Sequence, residues 1–273
     1  MLKIGVVGLG WPGVQHIKAI MALPGETALA GGCDADPARQ NELPEGAARY
    51  SDYRAFLDEV EMDAVILAVP HHLHAPFAVE AMRRGKHVLV EKPMARNTAE
   101  CEEMNRTAAE TGRTLMVAQN WRYTPAFAAV KRVLDSGELG PVRMVRSDWM
   151  LNYDAFFPET SWAYDGELAG GGVLFNLACH NADFLRFLLG EPRRVFGSCL
   201  TTDKKYVRGS ENWVMAQIEF ESGAVAQLYA GSSAYNGRVG PGLQVYGDDG
   251  TLVSVDVDQG GGFRITSRVR RGG

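Results

Sequence analysis

Short apolar runs alternate with helical patterns over the first 120 residues, and this alternation constrains the fold more than any other feature of the chain. The apolar runs are KIGVVG, TALAGGCD, DAVILAV, KHVLVE and TLMVAQ. Each run is continuously apolar, which is typical of strands buried on both faces. Segments of helical character, such as HHLHAPFAVEAMRRG and TAECEEMNRTAAETG, separate them. The pattern therefore predicts a parallel, doubly wound sheet covered by helices.

The pattern changes from about residue 190 onward, where the runs are RRVFGSCLTT, NWVMAQIEFESG, AVAQLYAG and LQVYGDDGTLVSV. These runs alternate and are joined by Gly-rich or Asp-rich turns, which indicates an antiparallel sheet with one solvated face. Between the two patterns, Thr124 and Pro125 resemble a helix N-cap and a first-turn proline. We therefore predict an α/β fold with a doubly wound domain over residues 1–120. Residues 121–273 are predicted to form an α+β domain with a large, mostly antiparallel open sheet.

The formal charge of −5 gives the chain no electrostatic attraction for nucleic acid or anionic membranes. Its apolar runs are much shorter than the roughly 20 residues of a membrane span. Because MLKIGVVGLG leads directly into a strand without a signal-peptide pattern, we expect a cytoplasmic protein. The four cysteines are widely spaced and lack a CxxC pair, so they predict neither a zinc site nor a disulfide framework.

The first chemical motif is GLGWPG, in which Gly8, Gly10 and Gly13 follow the first predicted strand and open a helix. Such glycines allow a tight turn, the approach of a pyrophosphate and close helix packing, while the helix N-terminus stabilises the phosphate charge. Trp11 and Pro12 lie in the same loop and are included in the predicted cofactor site. The motif predicts that the first domain is a dinucleotide-binding Rossmann domain.

Asp34 ends the second predicted strand about 20 residues after Gly13, where an acidic residue binds the adenosine ribose hydroxyls. Its carboxylate accepts hydrogen bonds from a free 2′-hydroxyl and repels a 2′-phosphate. NAD is therefore predicted over NADP. Arg39 keeps NADP as an alternative, because an arginine there can pair with the phosphate, although it also suits the surface of the next helix.

The second motif is GGGVLFNLACHNADFLRFLLG, which predicts one helix after three glycines, ending at Gly190. At 100° per residue, Asn176, His180 and Asp183 share one narrow stripe on an otherwise mostly apolar helix. Because buried polar groups need partners, the stripe either forms an internal network or lines a polar cavity. The three glycines would let a ligand approach the backbone in the second case.

The third motif is EKP, in which Glu91, Lys92 and Pro93 end the apolar run GKHVLV. A lysine at a strand end is ordinarily a solvated surface residue. His71, His72 and His74 resemble a metal cluster, but they lie on a strand-to-helix turn that spreads them apart, so no metal is predicted.

Together the segments GLGWPGVQH, AVPHHLHAPFAVEAMRRGKHVLVEKPMA, VAQNWRYTPAF, SGELGPV and GGGVLFNLACHNADFLRFLLG resemble the glucose-fructose oxidoreductase, inositol dehydrogenase and rhizopine-catabolism family, Gfo/Idh/MocA. The resemblance implies an NAD(P)-dependent oxidoreductase acting on a hydroxyl of a sugar, cyclitol or related polyol, and a homodimer or homotetramer. It implies that Lys92 is the catalytic lysine and His180 the catalytic histidine, with Glu91 and Pro93 shaping the turn near the nicotinamide. Pro70 and His74 are expected near the cofactor.

This chemistry suits the residues, because hydride transfer from an alcohol requires a base within reach of the hydroxyl proton. His180 can act as that base near neutral pH, and Lys92 can stabilise the developing alkoxide or relay the proton. The sequence does not decide which of the two abstracts it. Asn176, Arg122, Tyr123 and Trp162 are the candidate substrate-binding residues.

The sequence departs from the family pattern in two ways. Asn176 stands where many sugar and inositol dehydrogenases carry an aspartate, which affects the substrate assignment. Family members usually continue past FRITSRVRRGG with a further strand and helix, so the second domain is expected to be C-terminally short. A non-catalytic dinucleotide sensor and a Rossmann reductase acting on amino-acid intermediates are the alternative functions. Apolar residues in NWVMAQIEF and AVAQLYAG favour self-association through the second sheet.

Overall fold

The computed structural model describes residues 1–233, 239–257 and 263–269 of the chain. It divides into two compact units, Met1–Ala118 and Gln119–Gly273. Each unit has its own sheet and its own apolar core.

The first unit contains a six-stranded sheet in which every neighbouring pair is parallel. Its strands are β1 Leu2–Val7, β2 Thr27–Cys33, β3 Ala48–Tyr50, β4 Ala64–Leu67, β5 His87–Val90 and β6 Leu115–Val117. The order β3-β2-β1-β4-β5-β6 is that of a Rossmann fold. Five strands were predicted, whereas the short edge strand β3 was not. The predicted doubly wound domain is confirmed.

Helices cover the sheet of the first unit. They are α1 Trp11–Met21, α2 Tyr53–Glu59, α3 His74–Arg83 and α4 Thr98–Thr111. One apolar cluster joins Val6 of β1 to Ile17 and Ile20 of α1. A second cluster contains the next residue of β1, Val7, together with Met82 of α3. Successive side chains of β1 therefore enter different apolar clusters, as expected for a strand covered on both faces.

The second unit contains a seven-stranded sheet in the order β13-β12-β11-β7-β10-β9-β8. Its strands are β7 Val142–Met150, β8 Pro192–Leu200, β9 Trp213–Phe220, β10 Val225–Gly231, β11 Val239–Gly247, β12 Gly250–Val257 and β13 Phe263–Val269. β7 and β10 run parallel, whereas the other neighbouring pairs are antiparallel. The mostly antiparallel sheet is confirmed, with two differences from the predicted strands. β7 was not predicted, and LQVYGDDGTLVSV contains two strands, β11 and β12.

Helices pack on the inner face of this sheet. They are α5 Pro125–Asp135, α6 Gly166–Ala169, a π-helix over Leu174–Ala178 and α7 Cys179–Leu189. The Thr124 hydroxyl caps α5 by accepting a hydrogen bond from the Phe127 N–H, as its sequence predicts. Phe127 stacks on Phe184 of α7 at a centroid distance of 4.6 Å, and both rings are fully buried. This packing fixes α7 in the core of the unit.

Candidate active site

The glycine loop in the first unit is shaped by close backbone contacts. Gly8 follows β1 with a φ of +86°, and a Cβ there would lie 2.3 Å from the Ala68 carbonyl oxygen. A Cβ on Gly13 would lie 1.9 Å from the Gly8 carbonyl oxygen, so both positions require glycine. At Gly10 the nearest atom to a built Cβ is 3.9 Å away. The loop is therefore tight at its two ends and open at Gly10, as binding of a pyrophosphate at the start of α1 requires.

Asp34 follows β2 and is bound to the glycine loop. Its Oδ2 accepts a hydrogen bond from the Leu9 N–H at 2.7 Å, and its Oδ1 accepts one from the Asp36 N–H at 2.9 Å. A carboxylate oxygen has more than one acceptor direction, so these bonds orient Asp34 and leave it able to accept ribose hydroxyls. The residues present fit a dinucleotide with a free 2′-hydroxyl.

The EKP turn follows β5 and is held by a side-chain pair within the first unit. The Nε2–H of His16, on α1, donates to Glu91 Oε1 at 2.8 Å. Glu91 Oε2 accepts a hydrogen bond from the Lys92 backbone N–H at 3.1 Å, and the Lys92–Pro93 peptide is cis. Burial alone would raise the pKa of Glu91, but the bond and charge of His16 and the charge of Lys92 outweigh it and lower that pKa. The ionised carboxylate of Glu91 therefore connects α1 to the turn that carries Lys92.

His74 holds the same turn from α3. Its Nδ1 lies 2.8 Å from the Pro93 carbonyl oxygen and its Nε2 lies 2.9 Å from the Val69 carbonyl oxygen. Burial lowers the pKa of His74 against the opposing effect of these two carbonyls. Pro70 directly precedes the short 3₁₀ helix His71–Leu73 that leads into α3. His74 therefore connects the segment after β4 to the turn after β5, because its ring contacts a backbone carbonyl group in each.

His180 lies in α7 of the second unit, and its side chain is 7% exposed. Its Nδ1 lies 3.1 Å from Oε1 of Gln119. Trp149 packs beside the imidazole at a centroid distance of 5.3 Å, and Trp121 meets it edge-on at 6.3 Å. Gln119 and the two indole rings thus contact the imidazole.

The start of this helical segment differs from the predicted single helix. Gly170 ends α6, and the π-helix over Leu174–Ala178 precedes α7. The buried carboxylate of Glu211 accepts hydrogen bonds from the N–H groups of Gly172 at 2.9 Å and Leu174 at 2.7 Å. Glu211 therefore serves as the N-terminal cap of the segment that carries His180.

The glycines before this segment are explained by contacts within the chain. A Cβ on Gly172 would lie 1.8 Å from the Glu211 carbonyl oxygen, and one on Gly171 would lie 2.5 Å from the Phe175 ring. Gly172 therefore lets the Glu211 segment approach the backbone, and Gly171 leaves room for the Phe175 ring, so both glycines have a packing role within the chain.

The residues of the predicted polar stripe have different surroundings in the structure. Asp183 pairs with Arg122, whose Nε donates to Asp183 Oδ2 at 2.9 Å, and a second bond joins the Arg122 Nη2 to Oδ1. The hydrogen bonds to Asp183 raise the pKa of Arg122. Asn176, in the π-helix, and His180 are both buried. Arg122 and Asp183 therefore form an ion pair.

The remaining predicted site residues lie nearer the surface of their units. Tyr123 is 68% exposed in the short 3₁₀ helix after Gln119, and Trp11 is 75% exposed at the start of α1. Pro12 lies half-buried beside Trp11. Trp162 is half-buried in a separate 3₁₀ helix and meets the Phe157 ring edge-on at 6.3 Å. Tyr123 and Trp11 are therefore largely exposed aromatic side chains.

Among residues 1–233, 239–257 and 263–269, no group of three or more His, Cys, Asp or Glu side chains is arranged to hold a metal ion. Within the same ranges, no helix combines the length and apolar character needed to cross a membrane.

Two family models match the chain. One, for an oxidoreductase family with an NAD-binding Rossmann fold, matches residues 2–119. The other, for the GFO/IDH/MocA C-terminal domain, matches residues 127–253. The chain belongs to the Gfo/Idh/MocA oxidoreductase family. The predicted family and the predicted NAD-binding oxidoreductase are confirmed by these matches.

Several characterised members of the family are similar to this chain. Levoglucosan dehydrogenase of Pseudarthrobacter phenanthrenivorans is 30% identical over 92% of this chain and 73% of its own length. Inositol 2-dehydrogenase 2 of Saccharopolyspora erythraea is 32% identical over 70% of this chain, and the match spans 54% of that protein. The chain thus matches about half the length of that relative.

Solved structures of the family have the same fold. Levoglucosan dehydrogenase in complex with NADH and levoglucosan has a TM-score of 0.83 at 27% identity, over 98% of this chain and 80% of that one. The WlbA dehydrogenase from Bordetella pertussis, in complex with NADH and UDP-GlcNAcA, has a TM-score of 0.84 at 26% identity, over 92% of this chain and 78% of that one.

Proposed function

We propose that this Gfo/Idh/MocA protein transfers a hydride between a nicotinamide cofactor and a hydroxyl or carbonyl carbon of a sugar, cyclitol or related small polyol. The observation that carries the proposal is the EKP turn, in which Glu91 is fixed by His16 and holds the backbone of Lys92. A protein that only binds a dinucleotide has no need of a lysine held in this way. Similar proteins act on levoglucosan and inositol, which supports the substrate class.

NAD is the proposed cofactor, since Asp34 is oriented by two backbone donors beside the glycine loop. The bound cofactor supplies the hydride acceptor or donor. Lys92 would hydrogen-bond the reacting oxygen and stabilise the charge that develops on it. His180 would accept the hydroxyl proton on oxidation and return it on reduction. Asn176, Tyr123 and Trp162 are proposed to contact the substrate, and a cytoplasmic location is part of the same proposal.

A panel of cyclitols, aldoses and sugar acids, tested with both NAD and NADP, addresses this function directly. We expect absorbance of reduced nicotinamide to appear with a polyol and NAD. Replacing Lys92 or His180 with alanine should lower kcat by about a hundredfold or more, the usual scale for losing a positioned acid or base. The Kd of NAD should hardly change. Lys86→Ala, at the other end of β5, is the matched lysine control and should stay close to wild type.

The double variant tests whether the two residues serve one proton transfer. If they do, Lys92→Ala with His180→Ala should lose much less than the product of the two single losses. Multiplicative losses would show separate roles. Binding of NAD without turnover of any compound in the panel would support a non-catalytic sensor instead.

We further propose that the chain self-associates through the outer face of the second sheet. Alternation along β9 sends Val214 and Ile218 into the core and leaves Met215 on the outer face. Met215 lies opposite Tyr229 of β10, and Phe196 of β8 is 76% exposed on the same face. A second copy of this chain, as a homodimer or homotetramer, is the proposed partner.

A further inference from the structure

We propose that Gln119 is a positioning residue that fixes the tautomer of His180. It would keep the hydrogen on Nδ1 and present the lone pair of Nε2 to the proton that is transferred. The inference rests on the function proposed above and assigns a role to a residue that the sequence motifs did not single out. It concerns the second unit alone, which contains both side chains.

The contact between the two side chains favours one tautomer of His180. Nδ1 of His180 lies 3.1 Å from Oε1 of Gln119. An amide oxygen only accepts hydrogen bonds, so the imidazole nitrogen facing it must carry the hydrogen. A neutral imidazole carries one hydrogen, and Nε2 is therefore the basic nitrogen.

The surroundings hold this contact in place. Gln119 directly precedes the short 3₁₀ helix Asn120–Tyr123, where Trp121 packs edge-on against Trp149 at 4.8 Å and against Phe127 at 6.0 Å. Trp149 also lies against the His180 ring at 5.3 Å. The same indole rings thus anchor the backbone beside Gln119 and limit the orientations of the imidazole.

The neutral amide suits a base in a way that a carboxylate would not. A carboxylate beside an imidazole favours the imidazolium and raises its pKa. Glutamine selects the same tautomer without adding a negative charge. In this arrangement Gln119 would orient His180 as the aspartate of a catalytic triad orients its histidine.

Nitrogen NMR of the full-length protein tests the tautomer without relying on turnover. The chain has six histidines, so the His180 signals in ¹⁵N-histidine-labelled protein are assigned by their loss in His180→Gln. At high pH, where imidazoles are neutral, long-range ¹H–¹⁵N spectra distinguish Nδ1–H from Nε2–H. We expect Nδ1–H in the wild type, loss of this preference in Gln119→Leu, and its retention in Gln119→Glu, which keeps an acceptor oxygen.

Steady-state kinetics supply the second readout. Gln119→Leu should lower kcat by about tenfold or more with little change in the Kd of NAD, since the base is present but wrongly protonated. Asn105→Leu, which replaces an exposed amide on α4, is the matched control and should leave both values near wild type.

The two hypotheses fail in different ways. An Nε2–H tautomer in the wild type, or an unchanged Nδ1–H tautomer in Gln119→Leu, would overturn the role of Gln119 even if the protein is an active dehydrogenase. An Nδ1–H tautomer that depends on Gln119, in a protein that turns over no polyol, would support the positioning by Gln119 and reject the proposed function.

Discussion

Asp34 shows how one side chain can organise a loop and select a ligand. Its two carboxylate oxygens accept backbone hydrogen bonds from Leu9 and Asp36, so its position is set by the glycine loop itself. Hydrogen bonds to a charged group contribute about 1.5–3 kcal/mol each, which corresponds to roughly tenfold to a hundredfold in affinity. The charge of Asp34 would also oppose a 2′-phosphate.

We therefore expect Asp34→Ser to weaken binding of NAD by tenfold or more and to weaken binding of NADP much less. Fluorescence titration with each reduced cofactor measures both Kd values. Glu45→Ala removes an exposed acidic residue of the same unit and serves as the control. Equal losses for the two cofactors, or a wild-type preference for NADP, would contradict the ribose assignment.

The residues predicted from sequence are those whose role follows from local spacing. Gly8, Gly13 and Asp34 follow strand ends at fixed intervals, so their local geometry could be predicted. The partners found only in the structure are distant in sequence: Glu91 lies 75 residues from His16, Gln119 lies 61 residues from His180, and Glu211 lies 39 residues from Gly172. No periodicity connects such pairs, because the tertiary fold brings them together.

At the level of secondary structure, the segment that carries His180 begins in an unusual way. Its first N–H groups are bound by the side chain of Glu211, which comes from the segment before β9 and not from the preceding residues. The approach is so close that Gly172 cannot be replaced by a larger residue without displacing the Glu211 backbone. The close packing at this helix start thus accounts for Gly172 in the GGG pattern.

Removing the cap should destabilise the second unit. Glu211→Ala leaves the N–H groups of Gly172 and Leu174 without their carboxylate acceptor, and we expect a loss of about 2–3 kcal/mol in the free energy of unfolding. Glu211→Gln keeps one acceptor oxygen and should lose less. Urea denaturation measures the loss, and faster amide hydrogen exchange at Leu174 would locate it.

The exposed Glu221 provides the matched control for this experiment. Glu221→Ala should change the free energy of unfolding by less than about 0.5 kcal/mol. A loss in Glu211→Ala no larger than that of Glu221→Ala would show that the cap contributes little to stability.

Elements whose identity depends on tertiary contacts were not predicted. β3 is only three residues long and has no apolar run, and it is a strand because it pairs with β2. β7 precedes its partner β10 by about 75 residues and lies in the middle of the second sheet. The π-helix replaces part of a predicted α-helix, since the 3.6-residue pattern of apolar positions does not distinguish the two over five residues.

For the whole molecule, each unit buries its own apolar clusters, whereas apolar side chains remain exposed on the outer face of the second sheet. Exposed side chains come from several of its strands. They include Phe196, Leu200, Met215, Met144 and Tyr246. Exposed apolar side chains on one face of a sheet can mark an interface between subunits.

Self-association through this face predicts a definite response to charge. Phe196→Glu combined with Met215→Glu places two carboxylates on the sheet, where pairing of two copies would bury them without partners at a large cost. We expect size-exclusion chromatography with light scattering to show a dimer or tetramer for the wild type at micromolar concentration and a monomer for the double variant. Met21→Glu, a change at an exposed methionine of the first unit, should leave the oligomer intact. A wild-type monomer, or an oligomer that survives both charges on the sheet, would mean that this face remains in solvent and that its apolar residues have another partner.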